Sequence, residues 1–271
     1  MSNIPAREKF ENEFLAFKSQ LDSYLLRICG NREDAEDISQ NAYLKAVHNL
    51  QNFLGRSSLK TWVFTIATNL ARDHFRARQR WSVNCQDNAR EDAFAHPERI
   101  DKMKEINTAS PAGAFEIREH VDFCFTCMAK TLTLRQQVCV ILKDIYEFTL
   151  AEIMDITQLP EGKVKHSIAD GRQILKTIFQ KKCALVSKKG VCYQCSELND
   201  ILNPEQDRQM EILKLKMHKE AQRRTSKDHL YRLRTELIKS IDPLQSAGTD
   251  LHSYFLTLMP SYSDEAVNTK K

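Results

Sequence analysis

The sequence predicts an all-α protein with two helical domains, on two observations. Glycine and proline each occur seven times among 271 residues, roughly half the combined share that is usual in globular proteins. Apolar residues recur at steps of three and four along most of the chain, which is the period of one helix face. The shortage of turn residues argues against sandwiches and hairpin-rich folds, because those folds need turns at short intervals.

The composition also argues against several classes of function. Neither a G-x-G-x-x-G nor a G-x-x-x-x-G-K-[ST] motif is present, which disfavours the common nucleotide-binding enzymes. No apolar run approaches the ~18 residues of a membrane span, and the N-terminus does not read as a signal peptide. We therefore expect a cytoplasmic protein whose eight cysteines are reduced thiols or metal ligands.

The first domain is expected over residues 8–80, as three helices. The first helix has one apolar face and ends at Gly30. Asn31 can cap the second helix through its side-chain oxygen, and the acids that follow it suit a helix N-terminus. A short polar loop then leads to a third helix, which begins at Leu59.

The charge of this domain changes sign along the chain. Residues 31–40 carry four acids against one base, whereas residues 54–80 carry six bases against one acid. Arg72 and Arg76 lie four residues apart and share one helix face, from which guanidinium groups can bind phosphates. Aromatic residues lie among these bases, which suits single-stranded nucleic acid. The alternative to nucleic-acid binding is that these bases form a solvated helix face and that Trp62 packs in the core.

A second helical domain is expected over residues 121–180, after a linker over residues 81–120. Its helix–turn–helix pattern consists of a helix capped by Thr149, a break at Pro160 and a second helix. The second helix would direct three apolar residues to the core, namely Val164, Ile168 and Leu175. Its bases would then be available to DNA, although two ordinary packed helices would show the same pattern.

Ordered motifs in both domains carry a family resemblance. Residues 34–40, 53–55 and 61–73 together resemble region 2 of bacterial RNA polymerase sigma factors of the extracytoplasmic-function (ECF) group. Residues 134–138 and 142–148, followed by the helix–turn–helix, resemble region 4 of the same family. The absence of a region 3 between the two domains is typical of this group.

The resemblance implies a sigma factor, which is not an enzyme, that binds core RNA polymerase and directs promoter recognition and melting in transcription initiation. Region 2 would read the minus-ten promoter element and hold it open, and region 4 would read the minus-thirty-five element. The acidic helix would dock on the β′ clamp helices of the core enzyme through Asp34, Glu36, Asp37 and Gln40. The expected DNA-binding residues are Lys60, Trp62, Asn69, Arg72, Arg76, Arg78, Lys163, Lys165, His166 and Arg172.

Two residues depart from the family pattern, and rival functions stay open. Ser167 and Asp170 stand where the family commonly has arginines, and Asp170 would repel phosphate.

The alternative function is a helix–turn–helix regulator that acts without core polymerase, but such a regulator needs neither the acidic helix nor the Arg/aromatic helix. A metal- or redox-dependent enzyme would need an open metal position beside an acid or base, and the sequence offers no such set. An anti-sigma factor or another regulatory protein would be a further partner, and no membrane insertion is expected.

Two C-x-x-C pairs predict one structural zinc ion. Cys124 and Cys127 open the second domain, and Cys192 and Cys195 lie in a Cys-rich segment over residues 181–200. Each pair can place two thiolates on one tetrahedral ion. We therefore expect a four-thiolate site that joins this short segment to the start of the second domain.

The sequence allows other zinc ligand sets and more than one role for the C-terminal part. Cys183 is the alternate ligand, and a second set combines it with the pair of the Cys-rich segment and with His218, His229 or Cys127. Burial as small apolar residues is the alternative for the first pair. Residues 201–271 are expected to form a helical extension that is either solvated or regulatory.

Overall fold

The structure is a computed structural model, and it describes residues 4–76, 81, 82, 84, 85, 88, 91, 92, 95–109, 117–182, 226–245 and 254. In these residues the regular elements are helices, which confirms the predicted all-α class. They are α1 (Ile4–Cys29), α2 (Arg32–His48), a 3₁₀ turn (Leu50–Asn52), α3 (Leu59–Phe75), α4 (Pro97–Ala109), α5 (Ile117–Ala129), α6 (Leu134–Asp144), α7 (Leu150–Thr157), α8 (Glu161–Lys182) and α9 (Lys227–Lys239). Over this part of the chain, no helix is both long and apolar enough to cross a membrane.

Side-chain caps start the helices where the sequence predicts them. Asn31 accepts a hydrogen bond at 2.9 Å from a backbone N–H in the first turn of α2. Thr149 begins α7 in a capping box with Glu152, in which each side chain bonds the backbone N–H of the other residue. Thr133 and Gln136 form the same arrangement at the start of α6. Each cap satisfies donors that the helix itself leaves without a partner.

The turn between α7 and α8 differs slightly from the predicted one. α7 ends at Thr157, because Gln158 adopts a left-handed conformation with φ 55°. Pro160 follows two residues later, and α8 begins at Glu161 as expected. The left-handed residue, rather than the proline, therefore ends the first helix of the predicted helix–turn–helix pattern.

The chain forms two compact units, and each contains two separate stretches of sequence. The first unit comprises Met1–Gln79 and Thr133–Gly171, and the second comprises Arg80–Leu132 and Arg172–Lys271. This grouping differs from the boundaries expected from the sequence. The stretch expected to be a linker also contains a thirteen-residue helix, α4. Hydrophobic periodicity shows which face of a helix is buried, but it does not show which helix covers that face.

The first unit has one core that is shared by all its helices. α1, α2 and α3 pack against one another, while α6 packs against α1 and α7 against α3. The Phe64 ring lies 5.2 Å from the Tyr24 ring and 4.9 Å from the Phe148 ring. Burial raises the pKa of Tyr24, whose hydroxyl is hydrogen-bonded to Thr68 at 2.8 Å. The core is therefore continuous from α1 through α3 to the start of α7.

Polar contacts also join α6 to the end of α1. Arg27 is buried and donates a hydrogen bond from Nη1 to the hydroxyl of Tyr146 at 2.6 Å. Gln137, which is also buried, donates from Nε2 to the backbone carbonyl of Arg27 at 3.1 Å. This bond satisfies a carbonyl in the last turn of α1, where helices leave acceptors without internal partners.

The second unit contains part of the C-terminal extension. α9 packs against α5 and buries Ile238 completely. The guanidinium of Arg234 lies over the ring of Phe179 at 3.9 Å from its centroid, and Lys176 forms an ion pair with Asp228. This helix of the extension is therefore a folded element of the unit and contacts the C-terminal half of α8.

Gly171 allows α8 to approach α6 closely. A Cβ at this position would lie 2.7 Å from Cγ2 of Val140, a fully buried residue whose rotamer is restricted in a helix. We expect Gly171→Ala to lower the free energy of unfolding by about 1–2 kcal/mol, because overpacking outweighs the better helix propensity of alanine. The control is Gly162→Ala in the same helix, where a Cβ would meet nothing within 4 Å. It should raise stability by up to about 1 kcal/mol. Urea denaturation measures both changes, and a stabilising Gly171→Ala would contradict the packing argument.

Candidate nucleic-acid interface

One face of α3, continued by its C-cap residue Arg76, carries four of the residues expected to bind DNA. Trp62, Asn69 and Arg76 are spaced seven residues apart, which places them in one row along a helix. Arg72 joins them because its Nη2 donates a hydrogen bond to Oδ1 of Asn69 at 2.8 Å. Trp62 and Asn69 are half-buried, and both arginines are exposed. We call these four residues, with Thr65 between them, the α3 row.

Trp62 is neither a core residue nor a fully exposed one. Its ring lies 4.9 Å from that of Phe53, with an angle of 33° between the planes. Leu54, the next residue of the preceding loop, is 70% exposed. Ser58 caps α3 by accepting the backbone N–H of Thr61 at 3.0 Å. The loop and the first turn of α3 thus present aromatic and apolar groups beside the row of polar and basic ones.

Lys60 lies elsewhere than the other expected DNA-binding residues of α3. Its ammonium group is 4.6 Å from the ring centroid of Phe148 and 5.9 Å from that of Phe64. Burial lowers the pKa of Lys60, and the nearby carboxylate of Glu152 partly opposes that shift. The structure therefore places Lys60 in a contact between α3 and α7 and not in the α3 row.

Sequence reasoning missed the α7 side of this contact. Oγ1 of Thr61 donates to Oε1 of Glu152 at 3.5 Å, and Oγ1 of Thr65 donates to the backbone carbonyl of Asp155 at 3.3 Å. Burial alone would raise the pKa of Glu152, but hydrogen bonds from Thr149 and the positive charge nearby outweigh burial, so that the pKa is lowered. The capping box was readable from its spacing, whereas nothing in the sequence indicated its neighbour on α3.

The acidic positions of α2 are mostly open to a partner. Glu36, Asp37 and Gln40 are exposed along α2. Asp34 is half-buried, and its Oδ1 lies 3.2 Å from Nε2 of His74 near the end of α3. Three of the four expected polymerase-binding residues therefore form an exposed set, and the fourth also joins α2 to α3.

The first half of α8 exposes basic residues, as the helix–turn–helix pattern predicts. Lys163, Lys165 and His166 are all exposed. Lys165 pairs with Glu161 at 2.5 Å, and Nδ1 of His166 is hydrogen-bonded to a backbone carbonyl of the preceding turn at 2.7 Å. The predicted core residues of this helix are buried, namely Val164, Ile168 and Leu175. Arg172 is half-buried and belongs to the second unit.

Ser167 is a core residue and not a position of the DNA-facing surface. It is buried, and its hydroxyl donates to the backbone carbonyl of Lys163 at 2.7 Å. Burial raises the pKa of the Cys139 thiol to about 11, while a hydrogen bond with Ser167 acts in the opposite direction. An arginine at this position would point into the core, so the departure from the family pattern here concerns packing. Asp170, by contrast, is exposed.

Only the first pair of the four expected zinc ligands lies among the described residues. Cys124 and Cys127 are buried in α5 and, being three residues apart, share one helix face. Within the described residues there is no group of three or more potential ligands. Several expected site residues lie outside the described residues, namely Arg78, Cys183, Cys192, Cys195 and His218.

Comparison with known proteins shows a sigma factor region in the chain. Residues 14–81 match the family Sigma-70 region 2. The ECF RNA polymerase sigma factor SigW of Bacillus subtilis is 29% identical over 162 residues, which is 59% of this chain and 83% of SigW. The chain therefore contains a Sigma-70 region 2 and is similar to sigma factors of the ECF group.

Two further proteins are similar to this chain. The RNA polymerase sigma-H factor of Pseudomonas aeruginosa is 24% identical over 174 residues, which is 64% of this chain and 88% of sigma-H. A co-crystal structure of the sigma factor RpoE with the anti-sigma factor NepR from Bartonella quintana covers 64% of this chain and 98% of the matched chain, with 19% identity and a TM-score of 0.45. The region 2 match includes both the acidic positions of α2 and the α3 row.

Proposed function

We propose that this chain is a sigma factor that binds core RNA polymerase through α2 and directs it to promoters through the α3 row and the first half of α8. The observation that carries the proposal is the region 2 match, because it spans an exposed acidic helix followed by a helix with arginines on one face. The protein itself performs no chemistry and acts in the cytoplasm, where core polymerase and DNA meet.

The α3 row combines the groups that an opened promoter strand requires. The guanidinium groups of Arg72 and Arg76 can each bind phosphate oxygens by paired hydrogen bonds. The amide of Asn69 can donate to and accept from a base edge, and Trp62 offers a ring for an unstacked base. This combination favours a strand whose bases are accessible, which is the state of DNA at a melted minus-ten element.

The first half of α8 supports the proposed second contact, with the minus-thirty-five element. In a helix–turn–helix, residues near the N-terminus of the second helix reach base edges in the major groove. Lys163, Lys165 and His166 occupy this part of α8 and are exposed. Asp170 is exposed one turn later and would weaken phosphate binding there through its negative charge.

Copurification with core RNA polymerase tests the proposed function. We expect the tagged chain to retain core polymerase, and the double variant Glu36→Lys with Asp37→Lys to weaken that binding by about tenfold or more, because charged interface pairs contribute strongly to specific association. The control is Glu8→Lys with Glu13→Lys, which makes the same change of charge at exposed positions of α1. A wild-type chain that retains no core polymerase would favour the helix–turn–helix regulator instead, and equal losses in both double variants would contradict a specific role of α2.

We also propose that Cys124, Cys127, Cys192 and Cys195 bind one structural zinc ion, with Cys183 as the alternate ligand. The support is the shared helix face of the first pair and the C-x-x-C spacing of the second. Protein purified without chelator should contain about one equivalent of zinc, since closed thiolate sites bind the ion tightly at neutral pH. Cys192→Ser with Cys195→Ser should abolish binding, whereas Cys29→Ser, a buried cysteine of α1, should retain it. Elemental analysis measures both, and a metal-free wild type would refute the site.

A further inference from the structure

The solvent-facing side of α8 carries an acid among its basic residues. Lys163, His166 and Asp170 are three and four residues apart, which places them on one face of a helix, and all three are exposed. Val164 and Ile168 lie on the other side of α8 and are buried. The three exposed residues therefore lie side by side where another molecule can contact α8.

A hydrogen bond within α8 determines which nitrogen of the His166 ring carries the proton. Nδ1 lies 2.7 Å from the backbone carbonyl oxygen of Gly162. A carbonyl oxygen can only accept, so Nδ1 donates and carries the proton. In the neutral ring Nε2 then has no proton and is an acceptor. His166 therefore has an acceptor atom on the side of the ring away from that carbonyl.

Asp170 offers the same kind of group one turn further along α8. An ionised carboxylate can only accept hydrogen bonds, and this side chain is exposed. The four residues from His166 to Asp170 correspond to a rise of ~6 Å, which is close to two base-pair steps of ~3.4 Å each. When α8 lies along a major groove, the two acceptors can therefore contact two bases that are one or two steps apart.

Acceptor side chains select bases that present an amino group in the major groove. Cytosine presents its N4 amino group there and adenine its N6 amino group, whereas guanine presents two acceptors, and thymine an acceptor and a methyl group. Adenine also presents the acceptor N7 beside its amino group, so a carboxylate matches cytosine better. Phosphates repel a carboxylate. The charge of Asp170 therefore disfavours a contact with the DNA backbone and favours one with a base.

We propose that Asp170 and His166 determine the sequence that α8 reads, with Asp170 in contact with cytosine and His166 in contact with cytosine or adenine. Lys163, at the start of the same face, supplies a positive charge that offsets the repulsion between Asp170 and the DNA backbone. This inference rests on the proposed function, because it assigns the first half of α8 to duplex DNA.

Binding-site selection with the full-length chain tests the inference. The duplex library contains about 20 random base pairs, which is roughly two helical turns. Binding takes place at low salt and about pH 8, where an ordinary imidazole is neutral, and the bound DNA is sequenced. The variants are Asp170→Ala, Asp170→Arg and His166→Ala. The control is Glu8→Arg, which makes the same change of charge as Asp170→Arg at an exposed position of α1.

We expect the wild-type chain to enrich cytosine about tenfold over guanine at one position of the selected sequence. Asp170→Ala should lose this preference, and Asp170→Arg should replace cytosine with guanine, whose O6 and N7 accept from arginine. His166→Ala should relax a position one or two base pairs away. Glu8→Arg should select the same sequence as the wild type, because its added charge lies outside α8.

Two other outcomes would contradict the inference in different ways. The same selected sequence for the wild type and Asp170→Arg would overturn the role of Asp170 while leaving the proposed contact of α8 with DNA intact. If neither the wild type nor any variant enriches a sequence, α8 does not read duplex DNA, and the proposed minus-thirty-five contact fails as well. Circular dichroism of each variant checks that these substitutions at exposed positions leave the fold unchanged.

Discussion

Replacing Ile238 with alanine is expected to lower the free energy of unfolding by about 2–5 kcal/mol. Ile238 is completely buried in α9, on the side of the helix that also buries Tyr231 and Thr235. α9 packs against α5 in the second unit. A shortened side chain leaves a cavity at such a site, because close-packed neighbours move only partly into it.

The matched control for Ile238→Ala is Glu236→Ala in the same helix. The Glu236 side chain is 66% exposed and pairs with Lys239 at 2.8 Å, and an exposed pair of this kind contributes at most about 1 kcal/mol. Urea denaturation followed by circular dichroism measures both variants. Similar small effects would show that α9 is not part of the folded core. They would favour the alternative in which the C-terminal extension is solvated.

Replacing both Arg72 and Arg76 with alanine is expected to flatten the salt dependence of DNA binding. Each phosphate contact contributes ~0.9 to the slope of log affinity against log salt for duplex DNA and ~0.7 for single strands. Both arginines are exposed on the α3 row. The double variant should therefore lose ~1.4 units of slope with single-stranded DNA.

This slope is measured by titrating the full-length chain with a mixed-sequence oligonucleotide at several salt concentrations, from low to physiological. Arg7→Ala with Lys9→Ala removes the same charge from exposed positions of α1 and serves as the control. Its slope should stay near that of the wild type, because these bases lie outside the α3 row. A control slope that falls as far as that of the double arginine variant would indicate a general effect of net charge.

Local chemistry accounts for the features that the sequence predicted well. Asn31 and Thr149 cap their helices through hydrogen bonds to residues at most three positions away, so neighbouring residues suffice to place these starts. The buried face of α8 follows the helical period, and Val164 and Leu175 are completely buried as expected. The row of Trp62, Asn69 and Arg76 also follows from spacing alone once α3 is recognised as a helix.

Contacts between distant residues account for what the sequence did not predict. Thr61 and Glu152 are 91 residues apart in the chain, and no periodicity indicates that the two helices meet. In the sequence Lys60 is one base among several in the charged stretch, and nothing there indicates that its ammonium group lies over the Phe148 ring. Ser167 stands where the family commonly has arginine, but its burial depends on how α8 packs against Cys139 of α6.

Glu152 combines two roles that usually belong to different residues. Its carboxylate completes the capping box of α7 and also receives the hydrogen bond from Thr61 on α3. The capping box of α6 uses Gln136 at the equivalent position, so an amide performs the capping role without a charge. Glutamate and glutamine codons differ by one base. A single base change to glutamine would therefore remove the negative charge that α7 places beside Lys60, and α7 would still begin at the same residue.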